Sequence, residues 1–181
     1  MTWRYGAFEL DPTIPLEGVE ARAYLEAKYG AASVAAMHRR LADVLAAEGL
    51  PCRDLAEQGV RPNTFAAHRL LTAALADGAV VQQAVADGLF RAYWVDGADI
   101  GAHDVLVEIA RAAVMAADRA RDALTRDGFA TAVREEERQA HEAGISAVPT
   151  FVVDGRFAVA GAQPPAALMQ AVRQALATAE P

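Results

Sequence analysis

Cysteine is nearly absent. The 181-residue chain has one, Cys52, so it cannot form an internal disulfide. Long apolar runs are absent too: no stretch reaches the ~18 residues a membrane-crossing helix needs. The opening residues, Met-Thr-Trp-Arg-Tyr-Gly-Ala-Phe-Glu-Leu, lack the basic start and apolar core of a secretion signal, so the cytoplasm is the expected location. Basic residues are the minority charge, 17 against 24 acidic, for a net −7. That balance argues against nucleic acid or an anionic membrane as the main partner. His38, His68, His103 and His141 have no metal-type spacing, so no metal site is expected. A glycine-rich phosphate loop and a Gly-x-Ser-x-Gly elbow are both missing.

What is present is enough apolar material for a sizeable core, 54% of residues, and a length that suits one domain with an inserted subdomain. Thr2 to Leu10 alternates imperfectly around Trp3, Tyr5 and Phe8, which predicts a short strand. Asp11-Pro12 and Ile14-Pro15 break it. Helices follow in series. One is expected from Glu17 to Tyr29, and a second is capped by Ser33 and ended by Gly49. A third runs from Asn63 or Thr64 to Asp77, and a fourth carries Val81, Val85, Leu89, Phe90 and Tyr93. Shorter ones are expected from Asp99 or His103 and from Asp118 to Thr125, and another, capped by Asp127, from about Phe129 to Ala143. The Arg134-Glu-Glu-Glu-Arg138 run reads as a solvated face. Trp3, Phe8, Phe90, Tyr93 and Trp94 read as core.

The stretch from Gly144 to Pro165 changes character. Thr150-Phe-Val-Val153 is β-branched and aromatic, Asp154-Gly155 is a hairpin turn, and Arg156 to Ala160 returns antiparallel. Gln163-Pro164-Pro165 starts a last helix, with Leu168, Val172 and Leu176 expected inward. One strand, a helical block, a hairpin and a helix make an α/β chain with helices inserted in a small sheet fold.

Four segments, in order, carry a resemblance. Trp3-Arg4 with Phe8-Glu9-Leu10, Asn63-Thr64 with Ala67-His68-Arg69-Leu70, Leu89-Phe90-Arg91-Ala92-Tyr93-Trp94 with Gly97-Ala98-Asp99-Ile100, and Ala147 to Gln163 are similar to the DsbA family of thioredoxin-like proteins. Within it they resemble the FrnE-like branch, related to 2-hydroxychromene-2-carboxylate isomerases and kappa-class glutathione transferases. The resemblance implies a thioredoxin-like fold in three parts. Residues 1–15 would hold its second core strand, 16–143 the helical insertion and connecting helix, and 144–181 the proline loop, hairpin and last helix.

That family begins with a strand leading into a Cys-x-x-Cys helix, and these 181 residues contain neither. The fold expected is therefore thioredoxin-like but truncated at its N-terminus, without first strand and first helix. By analogy the absent strand lies mid-sheet. Its neighbours would each lose ladder hydrogen bonds, at roughly 1–3 kcal/mol per buried unpaired group. The expected explanations are a true start about 35–45 residues upstream, judged from a strand, a connection and a helix, a natural remnant, or a unit supplied by another chain.

The resemblance implies thiol–disulfide exchange on a protein or peptide substrate or a small thiol. With no Cys-x-x-Cys the chain as written would not run a dithiol cycle, and no catalytic residue is assigned within it. It also implies that the Val148–Pro149 bond is cis and that the Val148 backbone pairs with an extended substrate. Asn63 and His68 stand as further substrate-cleft candidates, each with a structural alternative: a helix cap for Asn63, a partly buried histidine for His68. Cys52 lies in a loop, matches no family active-site position, and reads as an inert thiol. Two other functions stay open. One is a glutathione-dependent isomerase or transferase using a serine from the absent helix, with glutathione as cofactor; otherwise none is expected. The other is a non-catalytic module that holds peptides. The relatives often dimerise, which allows for a homodimer.

Overall fold

The computed structural model describes residues 3–177. Contacts divide the chain into two compact units, Met1–Glu136 and Glu137–Pro181, with the boundary inside a helix. No described helix is long and apolar enough to cross a membrane.

The first unit opens on residues 3–9, where a strand was expected. No strand forms there, and the reason is visible in the hydrogen bonds. The Tyr5 N–H donates to Gln82 Oε1 at 2.9 Å, and Gln82 Nε2 donates to the Tyr5 carbonyl at 2.9 Å. The Ala7 N–H donates to Glu136 Oε2 at 3.0 Å. Side chains thus take three of the backbone groups, at Tyr5 and Ala7, that a neighbouring strand would pair.

Strand β1 (Val19–Glu20) pairs antiparallel with β2 (Val60–Arg61), with Val19 opposite Arg61 and Glu20 opposite Val60. Only glycine fits before it. Gly18 has φ +74, and a Cβ there would lie 2.8 Å from Val60 Cγ1 and 3.0 Å from the Arg61 carbonyl. The helix expected from Glu17 therefore starts later, as α1 (Ala21–Tyr29). Glu20 caps it, its carboxylate accepting from the Arg22 N–H at 3.0 Å and the Ala23 N–H at 2.5 Å. Helix α2 (Ala31–Ala47) follows at once, with Gly30 at its cap position in place of Ser33.

The core lies in four helices: α3 (Phe65–Asp77), α4 (Ala79–Trp94), α5 (His103–Ala112) and α6 (Ala117–Thr125). Leu70, Ala73 and Ala74 meet Val85 and Leu89, then Leu106 and Ala110, then Ala120, Ala123 and Leu124. Alanine on the facing stripes lets the backbones approach closely. Gly88 on α4 takes this furthest: a Cβ there would lie 2.8 Å from Ile109 Cγ2 on α5. Two aromatics expected in the core are exposed instead, Trp3 at 51% and Phe90 at 55%. Phe90 meets Tyr5 edge to face at 6.5 Å.

Helix α7 (Asp127–Glu142) crosses the unit boundary. Its charged run is not wholly solvated. Arg134 pairs with buried Glu9 and lies over the Phe65 ring at 3.9 Å, and Glu136 binds Arg4 at 3.0 Å. Glu137 is itself buried.

In the second unit, β3 (Thr150–Val153) and β4 (Phe157–Ala160) form a hairpin in the register Thr150–Ala160 to Val153–Phe157. Asp154 and Gly155 both have positive φ, +55 and +65, as an Asp-Gly hairpin turn requires. Arg156 closes that turn by donating its N–H to the Val153 carbonyl at 3.1 Å, so β4 starts at Phe157 and not at Arg156. Helix α8 (Pro165–Ala177) packs on both strands. Its inner face holds Leu168, Val172 and Ala175, while Leu176 is exposed. Position 175 completes the i, i+4, i+7 stripe, and 176 falls to its side.

Candidate functional site

The sequence candidates fall in both units. Val148 and Pro149 belong to the second. The peptide bond between them is cis, both residues are exposed, and the Thr150 hydroxyl closes the loop by donating to the Ala147 carbonyl at 2.7 Å. The Pro149 carbonyl accepts the Gly161 N–H at 2.8 Å, which extends the hairpin ladder by one residue. In an antiparallel ladder alternate residues point their polar groups to opposite edges. With Pro149 bonded toward β4, Phe151 and Val153 follow it, and the N–H and C=O groups of Thr150 and Val152 face the other edge. Among the described residues no further strand pairs with β3. An extended chain is the partner such an edge takes.

Asn63 and His68 belong to the first unit, at the start of α3. Asn63 is buried, and both ends of its amide are engaged. Its Nδ2 donates to the Ile14 carbonyl at 2.7 Å, and its Oδ1 accepts the Phe65 N–H at 3.0 Å. The N-cap position is Thr64, with no side-chain cap bond, so Asn63 forms an Asx turn just ahead of α3 and ties down the loop around Ile14. His68 is half-buried, one turn on, its N–H donating to the Thr64 carbonyl at 3.0 Å. Arg69, next in the motif, spends its guanidinium on the end of α6, donating to the carbonyls of Ala123 and Arg126, each at 2.9 Å.

Cys52 is half-buried, its thiol donating to the Arg53 carbonyl at 3.2 Å. Burial pushes the thiol up from its ordinary value, and Asp54 adds to that. An activated cysteine needs the opposite, a thiolate stabilised by positive charge. No group of three potential metal ligands occurs among the described residues.

Sequence reasoning missed a pocket of about 190 Å³ in the first unit. Leu10, Ile14, Pro62 and Ile100 supply apolar wall. Arg61, Thr64, Tyr93 and Asp11 supply polar groups. The signal available was a lone arginine before Pro62-Asn63-Thr64, and Tyr93 was placed in the core. A larger groove, about 700 Å³, lies along α4 and α5. Its arginines are already paired, Arg91 with Asp96 at 3.9 Å and Arg121 with Asp118 at 2.8 Å.

Comparison with known proteins agrees with this architecture. The family model described as a DSBA-like thioredoxin domain matches residues 1–173. The solved structure of a probable DsbA oxidoreductase from Streptomyces coelicolor superposes with a TM-score of 0.86 at 34% sequence identity, covering 96% of this chain and 75% of that one. No curated protein matches. The helix-rich α/β arrangement is a DsbA-like thioredoxin fold with a helical insertion. The chain belongs to the family of DsbA-like thioredoxin domains.

Proposed function

We propose that this chain acts in thiol–disulfide exchange, as a FrnE-like member of its family, by holding an extended protein or peptide substrate. The observation that carries this is the 34% identity to a probable DsbA oxidoreductase over nearly the whole chain. In the exchange a thiolate attacks one sulfur of the substrate disulfide, the other sulfur leaves as a thiolate, and a second thiol resolves the mixed disulfide. One cysteine cannot complete that cycle, and Cys52 is poorly disposed to start it. The dithiol is therefore proposed to come from outside the 181 residues, on the same chain or another. What these residues contribute is the Val148–Pro149 loop and the outward edge of β3. The Val148 and Val152 side chains are exposed, at 46% and 52%.

Two measurements test this. The 181-residue chain is expected to give no insulin reduction with dithiothreitol above background, before or after Cys52→Ser. It is expected to bind a fluorescent extended peptide, and Val152→Pro removes an outward N–H without touching the β4 ladder. That variant is expected to weaken binding by ~10-fold, the value of about one lost hydrogen bond. Turnover that depends on Cys52, or peptide binding indifferent to Val152→Pro, would reject the proposal.

A further inference from the structure

Among the described residues Arg61 is a cation without an ion-pair partner. Its Nε is buried and has no hydrogen-bond partner. Among the described residues no carboxylate lies within ion-pairing distance of its guanidinium, and its one aromatic contact is the Tyr24 ring, at 5.2 Å. A buried donor left unmatched costs roughly 1–3 kcal/mol, and Nε is closed to solvent, so a ligand would meet the guanidinium from the pocket that Arg61 lines.

The surroundings say what fits. Arg61 lines the 190 Å³ pocket with the hydroxyl residues Thr64 and Tyr93. Neither hydroxyl makes a hydrogen bond among the described residues. Burial pushes the Tyr93 phenol up, against the opposing pull of Arg61, so it is a protonated donor at neutral pH. Asp11 is the one acidic group in the lining, and it is already engaged. It accepts from the Thr13 hydroxyl at 2.5 Å, from the Tyr24 hydroxyl, and from Lys28 Nζ at 3.2 Å. Lys28 answers its charge and leaves Arg61 as the excess.

We propose that this pocket binds a small organic carboxylate with a short apolar body. Arg61 takes the carboxylate through its planar fork, the Thr64 and Tyr93 hydroxyls donate to it, and the body lies against Leu10, Ile14, Pro62 and Ile100. A carboxylate fits better than a phosphate. There is one excess positive charge, too little to balance a dianion, and half the lining residues are apolar. The volume sets the size, since sites for larger ligands span about 300–1,000 Å³. The site uses first-unit residues alone and needs no cysteine, so it stands or falls independently of the redox proposal. The carboxylate can come from a free acid or from the C-terminus of a peptide.

The test is a calorimetric or NMR titration of the 181-residue chain with 4-methylpentanoate, its primary amide, the tripeptide Gly-Gly-Leu, and inorganic phosphate. The acid is expected to bind ~10-fold or more tightly than the amide, as the loss of one charged hydrogen-bond pair predicts. Phosphate is expected not to compete. Tripeptide binding at least as tight as the acid identifies a peptide terminus as the source, and weaker binding identifies a free acid. Arg61→Gln is expected to reduce acid affinity by ~10-fold or more, and Tyr93→Phe by several-fold. Arg61 also stacks on Tyr24 and pairs in β2, so folding of that variant is checked by circular dichroism. If it fails to fold, Tyr93→Phe decides. Equal binding of acid and amide, competition by phosphate, no binding of the acid, or an unchanged affinity in Tyr93→Phe overturns the proposal.

Discussion

The buried side chain of Gln82 holds both backbone polar groups of Tyr5, accepting from its N–H and donating to its carbonyl at 2.9 Å each. Gln82 sits on the core side of α4 with Val85 and Leu89, where a polar residue survives only if its amide is fully bonded. Gln82→Ala leaves two backbone groups unmatched and opens a cavity. It is expected to cost about 2–4 kcal/mol in urea unfolding. Gln82→Leu fills the space but not the bonds, and should recover only part of that loss. Full recovery would show that packing, not bonding, is what Gln82 supplies.

Val114 ends α5 with φ +62, and it is 92% exposed. Its N–H donates to the Arg111 carbonyl at 3.0 Å, and the Met115 N–H donates to the Ala110 carbonyl at 2.9 Å. This is the left-handed helix end that glycine normally fills. A β-branched side chain there is strained and buries nothing in return. Val114→Gly is expected to stabilise the protein by about 1 kcal/mol, read from the shift in unfolding midpoint.

Gly88→Ala sets two effects against each other. Alanine gains about 1 kcal/mol of helix propensity over glycine. The new Cβ meets Ile109 Cγ2 at 2.8 Å inside the core, and overpacking costs about 1–3 kcal/mol. Net destabilisation is expected. In an Ile109→Val background, which trims that contact, Gly88→Ala should cost less.

Asp11 gives the protein an acid-sensitive loop. Hydrogen bonds from Thr13, then Tyr24 and Lys28, hold its carboxyl well below the usual carboxylate range. A depressed native value means the unfolded chain takes up the proton first. The stabilisation is complete above the unfolded value of ~4 and is lost as pH falls toward the native one. The stability gap between wild type and Asp11→Asn should be constant near neutrality and shrink as pH drops below that point. A gap that is flat down to acid pH would show that the carboxylate contributes nothing.

Cys52 should behave as an inert thiol. Because burial raises it, its alkylation by iodoacetamide at neutral pH is expected to be slower than that of a free thiol, and to accelerate only as pH passes the usual thiol value of ~8.5. Rapid alkylation at pH 6 would reverse this assignment.

Much of this protein is written in local patterns. The 3.6-residue apolar spacing placed the core helices, and Asp154-Gly155 placed the hairpin, because each depends on residues only a few positions apart. The resemblance to the DsbA family rested on four such segments and is matched by the family model and the solved relative. Tertiary structure decided what depends on distant partners. Residues 3–9 alternate like a strand, but whether they form one depends on what lies alongside. Gln82 and Glu136, 77 and 129 residues away, hold that backbone with side chains. Glu17 to Glu20 looked helical until pairing with Val60–Arg61 took β1 out of the helix. Asn63 and Arg61 stand two positions apart, yet one is bonded at both ends of its amide and the other lacks an anion among the described residues. Whether a polar side chain is spent or available depends on which groups the folded chain brings against it, and no spacing in the sequence specifies that.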